Sequence, residues 1–185
     1  MFIQTELTPN PNAIKFLPNL PISPNHSFHF NSIEEALDKS SLVVELFGIN
    51  YIKSIFLGQD FITVTKEEKG EWLTLKPEIL MVIMDYLTSG LAVFDRQSNE
   101  GKVRNDAELS EIEKQIIEII DSRVRPSVAM DGGDIIYRGF EAGIVKLELR
   151  GACSGCPSAT ITLKNGIESM LKHFIPEVEA VEAVD

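Results

Sequence analysis

The chain has 185 residues, of which 44% are hydrophobic and 24% charged, a balance typical of an ordinary globular protein. Its formal net charge of -11 argues against non-specific nucleic-acid binding and against an anionic membrane surface. The best apolar run, Ile79 to Leu87, is interrupted by Asp85 and is too short to span a membrane. We therefore expect neither a nucleic-acid nor a membrane partner.

The first residues, Met1 to Glu6, lack the basic region and long apolar core of a signal peptide, and they are not Arg-rich like a transit peptide. We therefore expect a reducing compartment: the cytoplasm of a bacterium, or the mitochondrial matrix if the chain is a processed eukaryotic form. In such a compartment a close cysteine pair is more often catalytic or metal-binding than a structural disulfide.

The sequence predicts that residues 1–95 form a small α+β domain, and this stretch contains no cysteine. Strands are expected at Ala13–Leu17 and in a hairpin of Tyr51–Leu57 and Phe61–Thr65. Between them, an irregular proline-rich loop precedes a capping box at Ser32–Glu35, from which intermittent helix continues to Phe47. A second helix is predicted to begin at Pro77 and to end near Gly90. The domain contains no group of residues typical of a catalytic site. We therefore expect it to recognise another protein, either a target or an upstream donor.

A polar stretch at residues 96–105 is predicted to be a linker, followed by a second domain at residues 106–185. Apolar residues from Leu109 to Ile120 repeat at helical spacing, with Ser110–Glu113 or Asn105–Glu108 as the cap, and the helix should stop before Pro126. Two strands, a helix and a last strand follow, so the domain has the order helix, strand, strand, helix, strand and belongs to the α+β class. The predicted bounds of these four elements are Ile135–Arg138, Ile144–Arg150, Pro157 to about His173, and Val178–Val184.

Both cysteines of the chain, Cys153 and Cys156, lie between a predicted strand and a predicted helix. Pro157 suits the first helical turn, which makes Cys156 the expected N-cap and brings both sulfurs near the helix N-terminus. The helix dipole and the free N–H groups there favour the thiolate, which is the form that binds metal. We therefore predict that Cys153 and Cys156 are metal or cofactor ligands.

Two thiolates do not complete a tetrahedral zinc site or an ordinary iron–sulfur cluster, each of which needs about four ligands. We interpret His26 and His29 as surface residues and His173 as a cation near a helix C-terminus. The simplest source of four sulfurs is a homodimer in which each chain gives Cys153 and Cys156. Such an exposed, shared site suits a carrier, but the same residues also allow a zinc-bridged structural dimer or, less well, a thiol-disulfide oxidoreductase.

The segments Asp131-Gly132-Gly133-Asp134 and Gly151 to Ser158 together resemble the C-terminal domain of NifU and the Nfu iron–sulfur scaffold and carrier proteins. The N-terminal half resembles the first domain of two-domain Nfu proteins at Thr8–Asn12, Leu46–Ile49 and Ser54–Thr65. The resemblance implies a [4Fe-4S] cluster bridging two subunits through Cys153 and Cys156. It also implies transfer of that cluster from an upstream donor to apo targets such as lipoate synthase and aconitase, without enzymatic activity. Gly132 and Gly133 are then expected to form a turn with unusual backbone angles.

Overall fold

The computed structural model of the chain describes residues 2–95, 109–154 and 157–184. The chain divides into two compact units, Met1–Lys102 and Val103–Asp185, which we call the N-terminal and C-terminal units. Both mix helices and strands around a hydrophobic core of their own, which confirms the predicted α+β class. The predicted linker at 96–105 lies outside the described residues, so the bounds 1–95 and 106–185 remain predictions.

The N-terminal unit is a five-stranded sheet in which all neighbouring strands are antiparallel, in the order β1-β2-β5-β4-β3. Its helices pack around a core that contains Phe16, Leu46 and Ile79, all fully buried. The strands are β1 (Gln4–Leu7), β2 (Ala13–Leu17), β3 (Phe28–Phe30), β4 (Ile52–Leu57) and β5 (Ile62–Lys66), and the helices are α1 (Ile33–Ala36), α2 (Ser41–Phe47) and α3 (Trp72–Thr88).

The hairpin, the strand at Ala13–Leu17 and the end of α2 at Gly48 agree with the sequence-based predictions. The two edge strands, β1 and β3, were not predicted. Each is only three or four residues long and owes its extended form to pairing with a neighbour, which local sequence does not encode.

The capping box predicted at Ser32–Glu35 does not form. Ser32 occupies the N-cap position but makes no side-chain capping bond, and Glu35 Oε2 accepts a hydrogen bond from the Asn31 N–H at 2.7 Å instead. Because α1 is a single turn of four residues, the extended chain that precedes it sets the hydrogen-bond partner of the Glu35 side chain.

Pro77 was predicted to be the first residue of α3, but it lies inside the helix, which begins at Trp72. A proline fixes φ near the helical value and removes only one N–H donor. The carbonyl that loses this donor belongs to Leu73, which is 91% exposed and therefore open to water. Hydration of a carbonyl at such an exposed residue would lower the cost of the missing hydrogen bond.

The C-terminal unit is a three-stranded sheet in the order β6-β7-β8, in which β7 pairs antiparallel with β6 and parallel with β8. Ile116, Ile120 and Leu171 are fully buried at the centre of its core. The elements are α4 (Glu111–Ile119), a π-helical turn (Ile120–Val124), α5 (Arg125–Met130), β6 (Gly133–Glu141), β7 (Ile144–Gly151), α6 (Pro157–Phe174) and β8 (Ala180–Val184). This is the predicted order helix, strand, strand, helix, strand.

The first helix of this unit does not stop before Pro126, as was predicted, but continues through a π turn into α5. The wider turn changes which carbonyl faces Pro126, whose ring would otherwise clash with the carbonyl four residues earlier. Ser110 and Glu113 form the predicted capping box, while the alternative cap at Asn105–Glu108 lies outside the described residues. Over the described part of the chain, no helix is long and apolar enough to cross a membrane.

Candidate metal centre

The segment that joins β7 to α6 contains both cysteines. β7 ends at Gly151 and α6 begins at Pro157, so the predicted placement of the pair between a strand and a helix is correct. Cys153 is described and lies in a turn directly after β7. Cys156 lies outside the described residues, and its assignment as the N-cap therefore remains a prediction.

Two glycines with positive φ connect this turn to the start of β6. Gly132 has φ +81 and Gly151 has φ +68, values that L side chains rarely adopt. Between them, the Ala152 N–H donates to the Gly132 carbonyl at 3.1 Å, and the Ser154 N–H donates to the Gly151 carbonyl at 3.1 Å. The backbone of the cysteine turn is thus fastened to the turn that precedes β6.

Gly133 is needed for a different reason, because it has no positive φ and lies within β6 opposite Gly151. A Cβ built on Gly133 would lie 2.6 Å from the Arg150 carbonyl oxygen and 2.9 Å from Cys153 Sγ. Both distances are shorter than any real carbon contact. The expectation that Gly132 and Gly133 both serve unusual backbone angles is therefore correct for Gly132 and wrong for Gly133, which makes room for the cysteine sulfur.

Cys153 is 4% exposed and packs within the core of the C-terminal unit. This burial differs from the exposed site that was expected at a dimer interface. It also gives Cys153 the surroundings of a small core side chain. Ser154, its neighbour, is exposed. The turn therefore reaches the surface although Cys153 itself is buried, and ligation of a metal outside the core would require the Cys153 side chain to turn outward.

Arg125, the first residue of α5, braces the turn that holds Gly133. Its Nη1 lies 3.0 Å from Asp121 Oδ1, and its Nη2 donates to the Ile135 carbonyl at 3.0 Å. Its Nε is 3.1 Å from Asp134 Oδ1, an ion pair without hydrogen-bond alignment. Sequence reasoning missed this role, although an Arg at 125 with carboxylates at Asp121 and Asp134, the latter beside a Gly-Gly turn, gave a signal for it.

A cluster of charges also covers the outer face of β7. Glu148 accepts hydrogen bonds from Arg138 and from Arg150, whose Nε lies 2.5 Å from Glu148 Oε1. Burial by itself would raise the pKa of Glu148, but the hydrogen bonds from Arg150 and Arg138 outweigh it and hold that pKa below its ordinary value. Glu148 is therefore charged and fixes the strand that ends in the cysteine turn.

Comparison with known proteins gives two family matches that follow one another along the chain. The model described as scaffold protein Nfu/NifU N terminal matches residues 3–90, and the NifU-like domain matches residues 116–182. The human NFU1 iron-sulfur cluster scaffold homolog, mitochondrial, is 49% identical over all of this chain and 72% of its own length. The chain belongs to the two-domain Nfu family of scaffold proteins.

Other members of the Nfu family show the same relationship. The Drosophila virilis NFU1 iron-sulfur cluster scaffold homolog, mitochondrial, is 46% identical over all of this chain, which spans 62% of that relative's length. Among solved structures, the NifU-like protein from Saccharomyces cerevisiae is 30% identical, and the match covers 52% of this chain and 87% of that one, with a TM-score of 0.48. The family assignment rests on the sequence matches.

The donor set of this Nfu chain fits a thiolate-ligated metal group only in part. The two cysteines are the only ones in the sequence, and no group of three or more His, Cys, Asp or Glu side chains among the described residues is placed to hold a metal. His29 lies in the N-terminal unit, where its Nε2 pairs with Asn31 Oδ1 at 2.9 Å, and His173 stacks edge-on against Phe174. One chain therefore contains two cysteines, of which the first, Cys153, packs with its sulfur beside Gly133.

Proposed function

We propose that this chain binds an iron–sulfur cluster through Cys153 and Cys156 and passes it to apo proteins. The observation that carries the proposal is the membership of the Nfu family together with a cysteine turn in which Gly133 makes room for the sulfur of Cys153. Relatives named as iron-sulfur cluster scaffolds support this role for the chain. A scaffold of this kind holds and transfers cargo, so we propose no catalytic activity.

Two copies of the chain complete the site. A [4Fe-4S] cluster takes about four thiolates, and a homodimer with Cys153 and Cys156 from each copy supplies that number. Each cysteine loses its proton to solvent as its iron–sulfur bond forms, so loading depends on pH. Because the ligands come from two chains, separation of the copies breaks half of the bonds at once.

The burial of Cys153 explains how such a site could release its cargo. When the cluster leaves, thiolates of the apo protein replace those of Cys153 and Cys156, which take up protons, and no electron is exchanged. Return of the Cys153 side chain to the core then restores an apolar contact that the loaded state lacks. Burial of Cys153 in the core would therefore favour release of the cluster over its retention.

The partners are an upstream donor that supplies the cluster and apo iron–sulfur proteins that receive it. The relatives are named as mitochondrial proteins, so we propose the mitochondrial matrix for this chain rather than the cytoplasm of a bacterium. Within this scheme the N-terminal unit, which contains no cysteine, selects the donor or the target.

Anaerobic reconstitution of the full chain with iron and sulfide, followed by metal analysis and sedimentation, tests the proposal. We expect a brown dimer with about four iron and four sulfide per two chains. A colourless protein that holds only zinc would instead support the zinc-bridged dimer. Turnover of a disulfide substrate by the intact thiols would support the oxidoreductase, and either result overturns the cluster proposal.

A further inference from the structure

Helix α3 of the N-terminal unit is apolar on the face that it turns away from its core. Leu75, Ile79 and Ile83 are buried in the core of the N-terminal unit, as an amphipathic helix requires. On the other side, Leu73 is 91% exposed, Met81 55% and Met84 39%, and Pro77 is exposed as well. A helix with apolar residues on both faces normally has a partner on both faces.

These four exposed residues form one continuous surface, which we call the α3 stripe: Leu73, Pro77, Met81 and Met84. At 3.6 residues per turn they fall within an arc of roughly 80° and extend along about 17 Å of the helix axis. Methionine side chains are flexible and polarisable, and they are common where one surface accepts several partners. The stripe therefore has the length and the chemistry of a helix-docking surface.

Acidic side chains line one border of the stripe. Glu78 and Asp85 are exposed and fall on the same side of the helix, next to Met81, and Glu71, which is also exposed, precedes the helix as its N-cap. Within the described residues none of the three forms an ion pair. Lys76, the basic residue of α3, lies on the opposite border.

The surrounding surface is acidic too. Residues 1–95 contain 6 basic and 12 acidic side chains, a net charge of -6, and two of the six lysines, Lys15 and Lys66, are buried. This charge disfavours an anionic lipid surface and favours a cationic partner.

We propose that the α3 stripe docks an amphipathic helix of a partner protein, about three turns long, with large apolar side chains on its seam and Lys or Arg along one edge. The apolar seam would pack between the ridges of α3, and the basic edge would face Glu78 and Asp85. This inference concerns the N-terminal unit alone and stands or falls independently of the cluster.

The test uses the full, cluster-free chain and a fluorescein-labelled helical peptide of about 15 residues, with a Leu seam and Lys and Arg on one edge. A second peptide carries Glu in place of each Lys and Arg. By fluorescence anisotropy we expect the basic peptide to bind at least about tenfold more tightly than the acidic one. Equal binding of the two peptides, or no binding of either, contradicts the proposal.

Two variants of the chain locate the binding surface. The double variant Met81→Gln/Met84→Gln should weaken binding of the basic peptide by about tenfold or more, because it removes the apolar contact. The variant Glu78→Gln/Asp85→Asn should remove most of the preference for the basic peptide. The matched control is Leu37→Gln, which replaces an apolar residue of the same unit that is 53% exposed but outside α3. If this control weakens binding as much as the stripe variants do, the surface is wrongly assigned.

Two other occupants give different results in the same experiment. If the cluster-free chain sediments as a dimer and Met81→Gln/Met84→Gln makes it monomeric, the stripe binds a second copy and the proposal is overturned. If zwitterionic phosphatidylcholine vesicles bind the chain and the double variant abolishes that binding, the occupant is a lipid surface, and the proposal is overturned as well.

Discussion

The two units differ in the solvent exposure of the side chains to which we assign functions. In the C-terminal unit the thiol of Cys153 lies in the core, where contacts leave no space for one added carbon at Gly133. In the N-terminal unit, apolar side chains such as Leu73 and Met81 are held out into solvent. The thiol that we propose as a ligand is thus shielded from solvent, whereas the apolar side chains that we propose for docking are exposed to it.

If the C-terminal unit alone carries the cargo, loss of Cys153 should have the largest effect. We expect Cys153→Ala to abolish iron binding in anaerobic reconstitution, because one copy then offers a single thiolate. Ser154→Ala, a change at the exposed neighbouring residue, is the control and should keep the full iron content. A Cys153→Ala protein that retains its cluster would remove this residue from the ligand set.

The close packing around the thiol predicts a large stability effect at Gly133. Gly133→Ala should lower the free energy of unfolding of the C-terminal unit by about 1–3 kcal/mol, because the new methyl group would overlap the Arg150 carbonyl and Cys153 Sγ. Urea denaturation followed through the amide NMR signals of this unit measures the change. Fluorescence of Trp72, the one tryptophan of the chain, reports the N-terminal unit and should not change.

The same strand offers a matched control in Gly139. A Cβ built there meets no atom within 4 Å, and its φ is not in the left-handed region. Gly139→Ala should therefore change stability by less than about 0.5 kcal/mol. If Gly133→Ala and Gly139→Ala lowered stability equally, the flexibility of glycine in general, rather than overlap with Cys153 Sγ, would explain the effect at Gly133.

Much of this architecture could be predicted from sequence because its signals are local. Alternating residues in Ile144–Arg150 gave a strand, Ser110 and Glu113 gave a helix start, and Pro157 gave the start of α6. The predictions at Pro77 and Pro126 failed, because the cost of a proline inside a helix depends on its surroundings. Water reaches Leu73 in α3, and a π turn widens the backbone before Pro126. These compensations are tertiary features and leave no local pattern.

The site shows the same division between local and tertiary signals. Spacing and flanking glycines identified the cysteine turn, but neither indicated that Cys153 would be buried or that Gly133 would face its sulfur. Both facts depend on the antiparallel pairing of Gly133 with Gly151, across a hairpin whose register the sequence did not fix. The α3 stripe was not predicted because the apolar residues of this helix were not assigned to a buried and an exposed face.

A moderate effect is expected at Arg125, which connects α5 to the turn before β6. Arg125→Gln should destabilise the C-terminal unit by about 1 kcal/mol, since it removes a charged hydrogen bond to the Ile135 carbonyl and the ion pairs with Asp121 and Asp134 at a partly exposed position. Hydrogen exchange at the Ile135 amide should rise with it. Arg123→Gln, which loses only a contact with the Phe174 ring, should leave that exchange rate unchanged.

One sequence motif, a Ser followed three residues later by a Glu, occurs at a helix start in each unit and allows a direct comparison. Ser110 accepts a hydrogen bond from the Glu113 N–H, whereas Ser32 makes no capping bond to its helix. Ser110→Ala should therefore cost about 1 kcal/mol of the stability of the C-terminal unit, and Ser32→Ala should leave that of the N-terminal unit almost unchanged. Denaturation monitored as for Gly133 measures both, and a cost at Ser32 as large as that at Ser110 would contradict the assignment.

The smallest effect should appear only in the pH dependence of the C-terminal unit. The Ser110 N–H and hydroxyl and the Tyr137 hydroxyl donate to Glu113 and lower the pKa of its carboxyl below the ordinary value of 4.5. A lowered folded-state pKa means that the charged carboxylate stabilises the fold above 4.5 and that this contribution disappears as the pH falls through the folded value. Glu113→Gln should thus be less stable than the original chain at neutral pH.

The difference between the two proteins should narrow below pH 4.5, as Glu113 takes up its proton in the original chain. Denaturation series at neutral and acidic pH measure this narrowing. Glu111→Gln is the matched control, because Glu111 lies in the same helical turn but pairs only with the exposed Lys114. If the Glu113→Gln difference stayed constant across the whole range, packing of the side chain rather than its charge would be responsible, and the capping carboxylate would have no part in the acid stability of the unit.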